Sequence, residues 1–203
     1  MIFSYSPSVL LFALIVLFIF SFLSNVTPFA GASYTLAAVY ILNKFGLTGL
    51  NLATVILITG IGATVAKPFI YAGAFGFRSK LLQNKNIKLF ARWIGQRPFY
   101  VALFITAFIP ALPLDDYVYI GVGAHGANPL PIFGTTLAAK IAKSAFEIPI
   151  ELLLVKSVLS PVVGLGIGTT TIALSVAFVV IGYITYKIDW EALYVRILSS
   201  HHA

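Results

Sequence analysis

The chain is 203 residues long, 60% hydrophobic and 9% charged, with a mean hydropathy of +0.99 and a formal net charge of +7. A soluble domain carries about a quarter charged residues, so lipid rather than water must cover this much apolar surface, and a water-soluble enzyme or a nucleic-acid-binding domain is excluded. Cysteine is absent, which removes a disulfide framework, a thiolate nucleophile and a zinc–thiolate site; no metal or other cofactor is implied, and residues 1–203 read as a single, non-enzymatic membrane domain.

Residues 9–23 are an uninterrupted apolar run and predict a transmembrane helix within 1–24. A cleaved signal peptide is the rival, because Ala30-Gly31-Ala32 offers a small-residue cleavage site. The first eight residues, however, hold no lysine or arginine for a signal's charged start.

Residues 25–77 read as a re-entrant unit followed by a long helix. Pro28 and Gly31 interrupt the apolar stretch 25–46, which is too short for two full crossings. A pair of half-helices fits it, and a loop followed by one short helix is the alternative. Residues 48–77 are rich in glycine and alanine, which lets a neighbouring helix approach closely. Lys67 lies inside this span beside Pro68; it is either part of a polar path or a lysine reaching for the interface.

The stretch 78–98 holds Arg78, Lys80, Lys85, Lys88, Arg92 and Arg97 and no acid, so the positive-inside rule places it in the cytoplasm. Ile87, Phe90, Ala91 and Ile94 recur at helical spacing, predicting a short interfacial helix. Contact with anionic headgroups and simple topology signalling both account for its charge.

Residues 99–156 repeat the pattern of a broken unit and a helix. An apolar arm leads to Pro110 and Pro113, then to the adjacent Asp115 and Asp116, then to a return arm ending near Gly126. Backbone broken at membrane depth needs a protein-lined or watery cavity, and an ionised group there usually marks function. A solvated turn is the plainer reading of the aspartates. In the following helix, 130–156, Lys140, Lys143, Glu147 and Glu151 are spaced three, four and four apart, within about an 80° sector of one face. Such a face must meet protein or water: a substrate or proton path is one reading, a static ion network that fixes helix packing the other. The letters Gly121-x-Gly123-x-x-Gly126 spell a dinucleotide fingerprint, but Asn128 and Pro129 follow where a helix should open, so the match is false.

After Pro161, residues 162–186 predict a last span ending at Lys187, with an amphipathic tail inside the segment 157–203. With the basic stretch inside, both termini fall in the cytoplasm. Each half then reads as a re-entrant unit and a long helix in opposite orientation, an inverted repeat. The expected fold is an all-α, multi-pass integral membrane protein of the plasma membrane, with about four transmembrane helices plus two opposed re-entrant units. It is compatible with a homo-oligomer.

Three stretches, TPFAGASYTLAA at 27–38, GIGATVAKPFIYAGAFGF at 60–77 and FIPALPLDDYVYIGVGAHGANPLPIF at 108–133, resemble the DedA family, also called the VTT or SNARE-associated Golgi family, over residues 22–157. The resemblance implies movement of lipid headgroups across a bilayer, by scrambling phospholipid or flipping polyprenyl-phosphate carriers. Its partners would be membrane lipids, among them anionic phosphate headgroups, and protons, along a path of Lys67, Asp115, Asp116, Lys140, Lys143 and Glu147. Charged residues that many bacterial members carry are replaced here by Asn25, Lys67, Ala107 and Pro113, which marks a divergent member. A proton- or ion-coupled exporter of small solutes using Asp115, Asp116 and Glu147, and a non-transporting membrane scaffold, are the competing expectations.

Overall fold

Every element that the chain forms among its described residues is helical. The computed structural model describes residues 7–27, 34–91, 94, 96–109, 114–159, 164, 166–190 and 192–193. The helices are α1 (Pro7–Val26), α2 (Tyr34–Phe45), α3 (Gly49–Val65), α4 (Lys67–Gly76), α5 (Arg78–Leu81), α6 (Lys85–Ala91), α7 (Arg97–Phe108), α8 (Leu114–His125), α9 (Leu130–Leu154) and α10 (Ile167–Lys187), with a π-helical turn at Val155–Leu159. The expected backbone breaks at Pro28, Gly31, Pro110 and Pro113 lie outside the described residues.

Local chemistry sets several boundaries. Gly46 takes a φ of +93° to end α2, a left-handed conformation that costs glycine nothing. Thr48 caps α3, its Oγ1 accepting from the Asn51 amide at 3.1 Å. The long helix of the first half divides at Ala66, because Pro68 has no amide to continue the ladder; the Phe69 amide reaches the Ala66 carbonyl at 3.1 Å instead. Asp115 and Asp116 sit in the first turn of α8, where the helix dipole favours negative charge.

Side-chain register fixes the directions of the helices. Leu10 and Leu14 line a cavity with Asn51 and Val55. Further along, Ser21 Oγ donates to the Thr59 carbonyl at 2.7 Å, Gly62 faces the Phe18 carbonyl, and Phe22 meets Phe69 edge-on at 5.2 Å. Residue numbers rise in step, so α1 runs in the same direction as α3 and α4. Helix α2 returns, with Phe45 back at the Leu10 end and Tyr34 beside Lys143 of α9. In the second half α8 runs along α4: Asp116 meets Lys67, Gly123 meets Tyr71 and Gly126 meets Phe75. Helix α9 runs against α8, through Asp115–Lys140 and Tyr119–Thr136. Phe108 and Ile109, at the end of α7, meet Phe146 and Lys143 of α9.

The contacts follow one scheme in both halves. The first arm of each hairpin, α1 or α7, packs on the long helix of its own half. The second arm, α2 or α8, packs on the long helix of the other half, α9 or α4. Two apolar clusters result. One joins Ile70, Phe99, Leu103, Val118 and Val122; the other joins Leu17, Val39, Leu42, Val55 and Ile148. Helix α10 begins beside Tyr40, and just past its end the Ile188 carbonyl accepts from Asn86 at 3.1 Å.

Three expectations change. Among the described residues, 25–46 hold the end of α1, which stays helical through Val26, and the single helix α2, as in the alternative of one short helix rather than two half-helices. The polar residues of α1 explain its persistence, since Asn25 Nδ2 donates to the Ser21 carbonyl at 2.9 Å within the helix. The expected opposite running of the N-terminal helix and the long helix is also reversed, which puts Pro7 and Arg78 at opposite ends of the molecule. Finally, the helix expected over 130–156 ends at Leu154, beyond Pro149, and relaxes into the π turn.

Two helices, Pro7–Val26 and the run Gly49–Gly76, are long and apolar enough to cross a membrane. The outer surface is apolar: Phe12, Leu23, Leu153 and Ile172 are each more than half exposed.

Candidate functional site

Where the two halves meet, six acidic or basic side chains are buried among the described residues: Lys67, Asp115, Asp116, Lys140, Lys143 and Glu147. Burying an unpaired charge is prohibitive, so partners must be built in. Lys67 Nζ lies 2.5 Å from Asp116 Oδ1 and 3.0 Å from Asp115 Oδ2. Lys140 Nζ lies 2.9 Å from the same Asp115 oxygen. Asp115 Oδ2 therefore bridges an ammonium group from each half, and the four groups together carry no net charge.

The arrangement follows from how the helices sit. Lys67 opens α4 just past the Ala66 division, the aspartates open α8, and α9 passes alongside with Lys140 at mid-length. Small residues let these backbones converge. A Cβ on Gly60 would lie 2.9 Å from the Ile141 side chain, and one on Gly123 would lie 2.5 Å from the Tyr71 carbonyl oxygen. Further along α8 and α9, Tyr119 Oη donates to Thr136 Oγ1 at 2.9 Å, and Thr136 donates to the Ile132 carbonyl at 3.0 Å.

The plainer readings of two groups are overturned. Lys67 is 1% exposed and the aspartates are 1% and 2% exposed, so Lys67 does not reach for an interface and the aspartates do not form a solvated turn. Lys143 does not join the aspartates. Three residues advance it about 4.5 Å along α9, past the start of α8. There it donates to the Ile109 carbonyl at 3.2 Å, lies 3.8 Å from Glu147 and sits 5.9 Å from the centre of the Tyr34 ring.

Sequence reasoning missed the polar residues that surround Lys143. Tyr34 and Ser144 are fully buried, and Thr35 Oγ1 donates to Glu151 Oε1 at 2.9 Å. A signal was present: Tyr34-Thr35 follows the first broken stretch as Asp115-Asp116 follows the second. The groove of about 710 Å³ between α1, α2 and α10, lined by residues such as Phe12, Val16, Ala37 and Ile172, is apolar and contains none of these groups.

No protein-family model matches the chain, and no curated protein or solved structure is significantly similar to it.

Proposed function

We propose that the chain is a multi-pass integral membrane protein of the DedA type, in which two opposed re-entrant hairpins, α1–α2 and α7–α8, guide lipid headgroups across the bilayer. The observation that carries this reading is the inverted distribution of polarity. Large apolar side chains face outward on α1, α9 and α10 while lysines and carboxylates are gathered at the junction of the halves. An apolar exterior suits lipid tails, and a charged seam suits a phosphate-bearing headgroup. At 12 residues each, α2, α7 and α8 are about 18 Å long, well short of a hydrocarbon core of about 30 Å. That length supports a hairpin α7–α8 that enters and leaves on one side and a short return arm α2 after the 20-residue α1, and the matched packing scheme of the halves supports an inverted repeat.

In this mechanism a headgroup enters the seam and its phosphate competes with Asp115 for Lys140. Ammonium–phosphate contact is charge-assisted and tolerant of geometry, so binding can be transient. The test is a proteoliposome assay with fluorescent lipid and an impermeant quencher. Lipid of both leaflets is quenched if the protein moves it, and only the outer leaflet if it does not. Lys140→Gln should slow an anionic lipid by roughly tenfold more than a zwitterionic one, a difference of about 1.4 kcal/mol.

A static lock is the second reading, favoured by the completeness of the pairing: each aspartate has an ammonium group within 3.0 Å. It predicts no quenching beyond the outer leaflet. Equal slowing of both lipids by Lys140→Gln would likewise assign the lysine to packing.

A further inference from the structure

Beyond Lys140 the seam continues into a second polar set that the lysine–aspartate cluster does not use. Tyr34 and Thr35 open α2; Ser144 and Glu151 face them from α9, with Glu147 one turn before Glu151. Thr35 holds Glu151 Oε1 at 2.9 Å. Tyr34 Oη, Ser144 Oγ and Glu151 Oε2 are each shielded from solvent and have no hydrogen-bond partner among the described residues. The phenol lies beside Ser144 and within electrostatic reach of Glu147, Glu151 and Asp115.

Charge is out of balance here. Helix α3 brings no ionisable side chain, and α2 brings only Tyr34, Tyr40 and the exposed Lys44 at its other end. The end of α7 brings the Ile109 carbonyl, which Lys143 already engages. Asp115 and Asp116 of α8 are matched by Lys67 and Lys140, and Lys143 lies 3.8 Å from Glu147. Lys156 of the π turn is exposed. The stretches 28–33 and 110–113 contain no ionisable residue. Among the described residues three interior ammonium groups thus face four carboxylates, and Lys143 is shared between Glu147 and Glu151, so Glu151 has no ammonium group of its own. A shielded carboxylate without a counter-charge is costly.

We propose that Glu151, Tyr34, Thr35 and Ser144 form a binding site for one monovalent cation, a proton or a sodium ion, separate from the lysine–aspartate cluster. The donors are carboxylate, phenol and hydroxyl oxygens, the hard set that takes a small alkali cation. The same oxygens can accept a hydrogen bond from a protonated Glu151. One extra positive charge is what the set lacks, and Lys143, 5.9 Å from the Tyr34 ring, disfavours a divalent ion. Because Tyr34 and Thr35 belong to the first hairpin and Ser144 and Glu151 to the second half, an occupied site ties the two together. The inference does not depend on which cargo, if any, the protein moves.

The experiment uses the purified full chain in detergent, with choline exchanged for sodium or potassium at constant ionic strength. A bound sodium ion stabilises the folded state by mass action, so sodium alone should raise the melting temperature, saturably, by roughly 4 °C. Glu151→Gln should abolish the rise, and Tyr34→Phe should raise the half-saturating sodium concentration about tenfold. If the cation is a proton, sodium has no effect and an infrared band of a protonated carboxyl is present at neutral pH. That band disappears in Glu151→Gln and shifts in Tyr34→Phe. Should Glu151→Gln fail to fold, Tyr34→Phe and Ser144→Ala, each lacking one oxygen, decide the matter. The proposal is overturned if wild type shows neither a sodium response nor that band, or if the variants leave either signal unchanged.

Discussion

Asp115 and Lys67 show how much one atom can govern. With Lys67 removed, Asp116 loses its 2.5 Å partner and Asp115 keeps, among the described residues, Lys140 alone. Breaking a buried pair from one side typically costs about 3–5 kcal/mol, because the remaining charge stays desolvated. Lys67→Met should therefore destabilise by about that amount in unfolding measured in detergent. The double variant Lys67→Met/Asp116→Asn should regain more than half of the loss, since it leaves one lysine facing one aspartate. A double variant as unstable as the single one would show that the two residues are not energetically coupled. The ionisable residues themselves were legible in the sequence, because charge inside an apolar run stands out. Their pairing was not. Whether Lys140 or Lys143 meets Asp115 depends on an axial offset of about 4.5 Å, set by how α8 and α9 slide past one another. Tyr34, Thr35 and Ser144 passed unnoticed because uncharged polar residues are cheap in helices and carry no pattern of their own.

At the level of helices, contact distance is set by what glycine omits. A methyl group on Gly123 would sit 2.5 Å from the Tyr71 carbonyl oxygen and 2.9 Å from the Ala74 Cβ, so α4 and α8 would have to separate. Gly123→Ala should cost about 1–3 kcal/mol through overpacking. Gly134 of α9 has no heavy atom within 4 Å of the corresponding position, and Gly134→Ala should stabilise by up to about 1 kcal/mol through helix propensity. Thermal unfolding of the two variants side by side checks both signs; similar changes in both would remove the close-packing argument. The positions of the long helices were readable from apolar length and glycine content. The division at Ala66 and the continuation of α1 to Val26 were not. The first depends on how one proline is accommodated, and the second on side chains that satisfy polar groups inside the helix, as Asn25 does at Ser21.

For the whole molecule, direction is the property that sequence rules handled least well. The basic stretch anchors one end, but charge says nothing about α1, which has no lysine or arginine. Only its register against α3 and α4, from Leu10 near Asn51 to Phe22 at Phe69, reveals that they run together. With the basic stretch 78–98 in the cytoplasm, as the positive-inside rule predicts, Ser8 and Asn84 lie on opposite faces of the bilayer. The chain has no native cysteine, so Ser8→Cys and Asn84→Cys each introduce a single thiol. An impermeant thiol reagent applied to intact cells should label the first, and should label the second only after permeabilisation. Labelling of both from the same side would refute the parallel arrangement.

The bridging carboxylate also has a consequence in time. Asp116 follows Lys67 by 49 positions, so a ribosome adding 5–20 residues per second makes the lysine roughly 2–10 s before its partner. During that interval the first half holds a positive charge that nothing it contains can neutralise. The nascent hairpin must therefore wait, with Lys67 kept near water or in the care of the insertion machinery, until the second half arrives. Final burial is then a joint event for both halves rather than the sum of two separate ones.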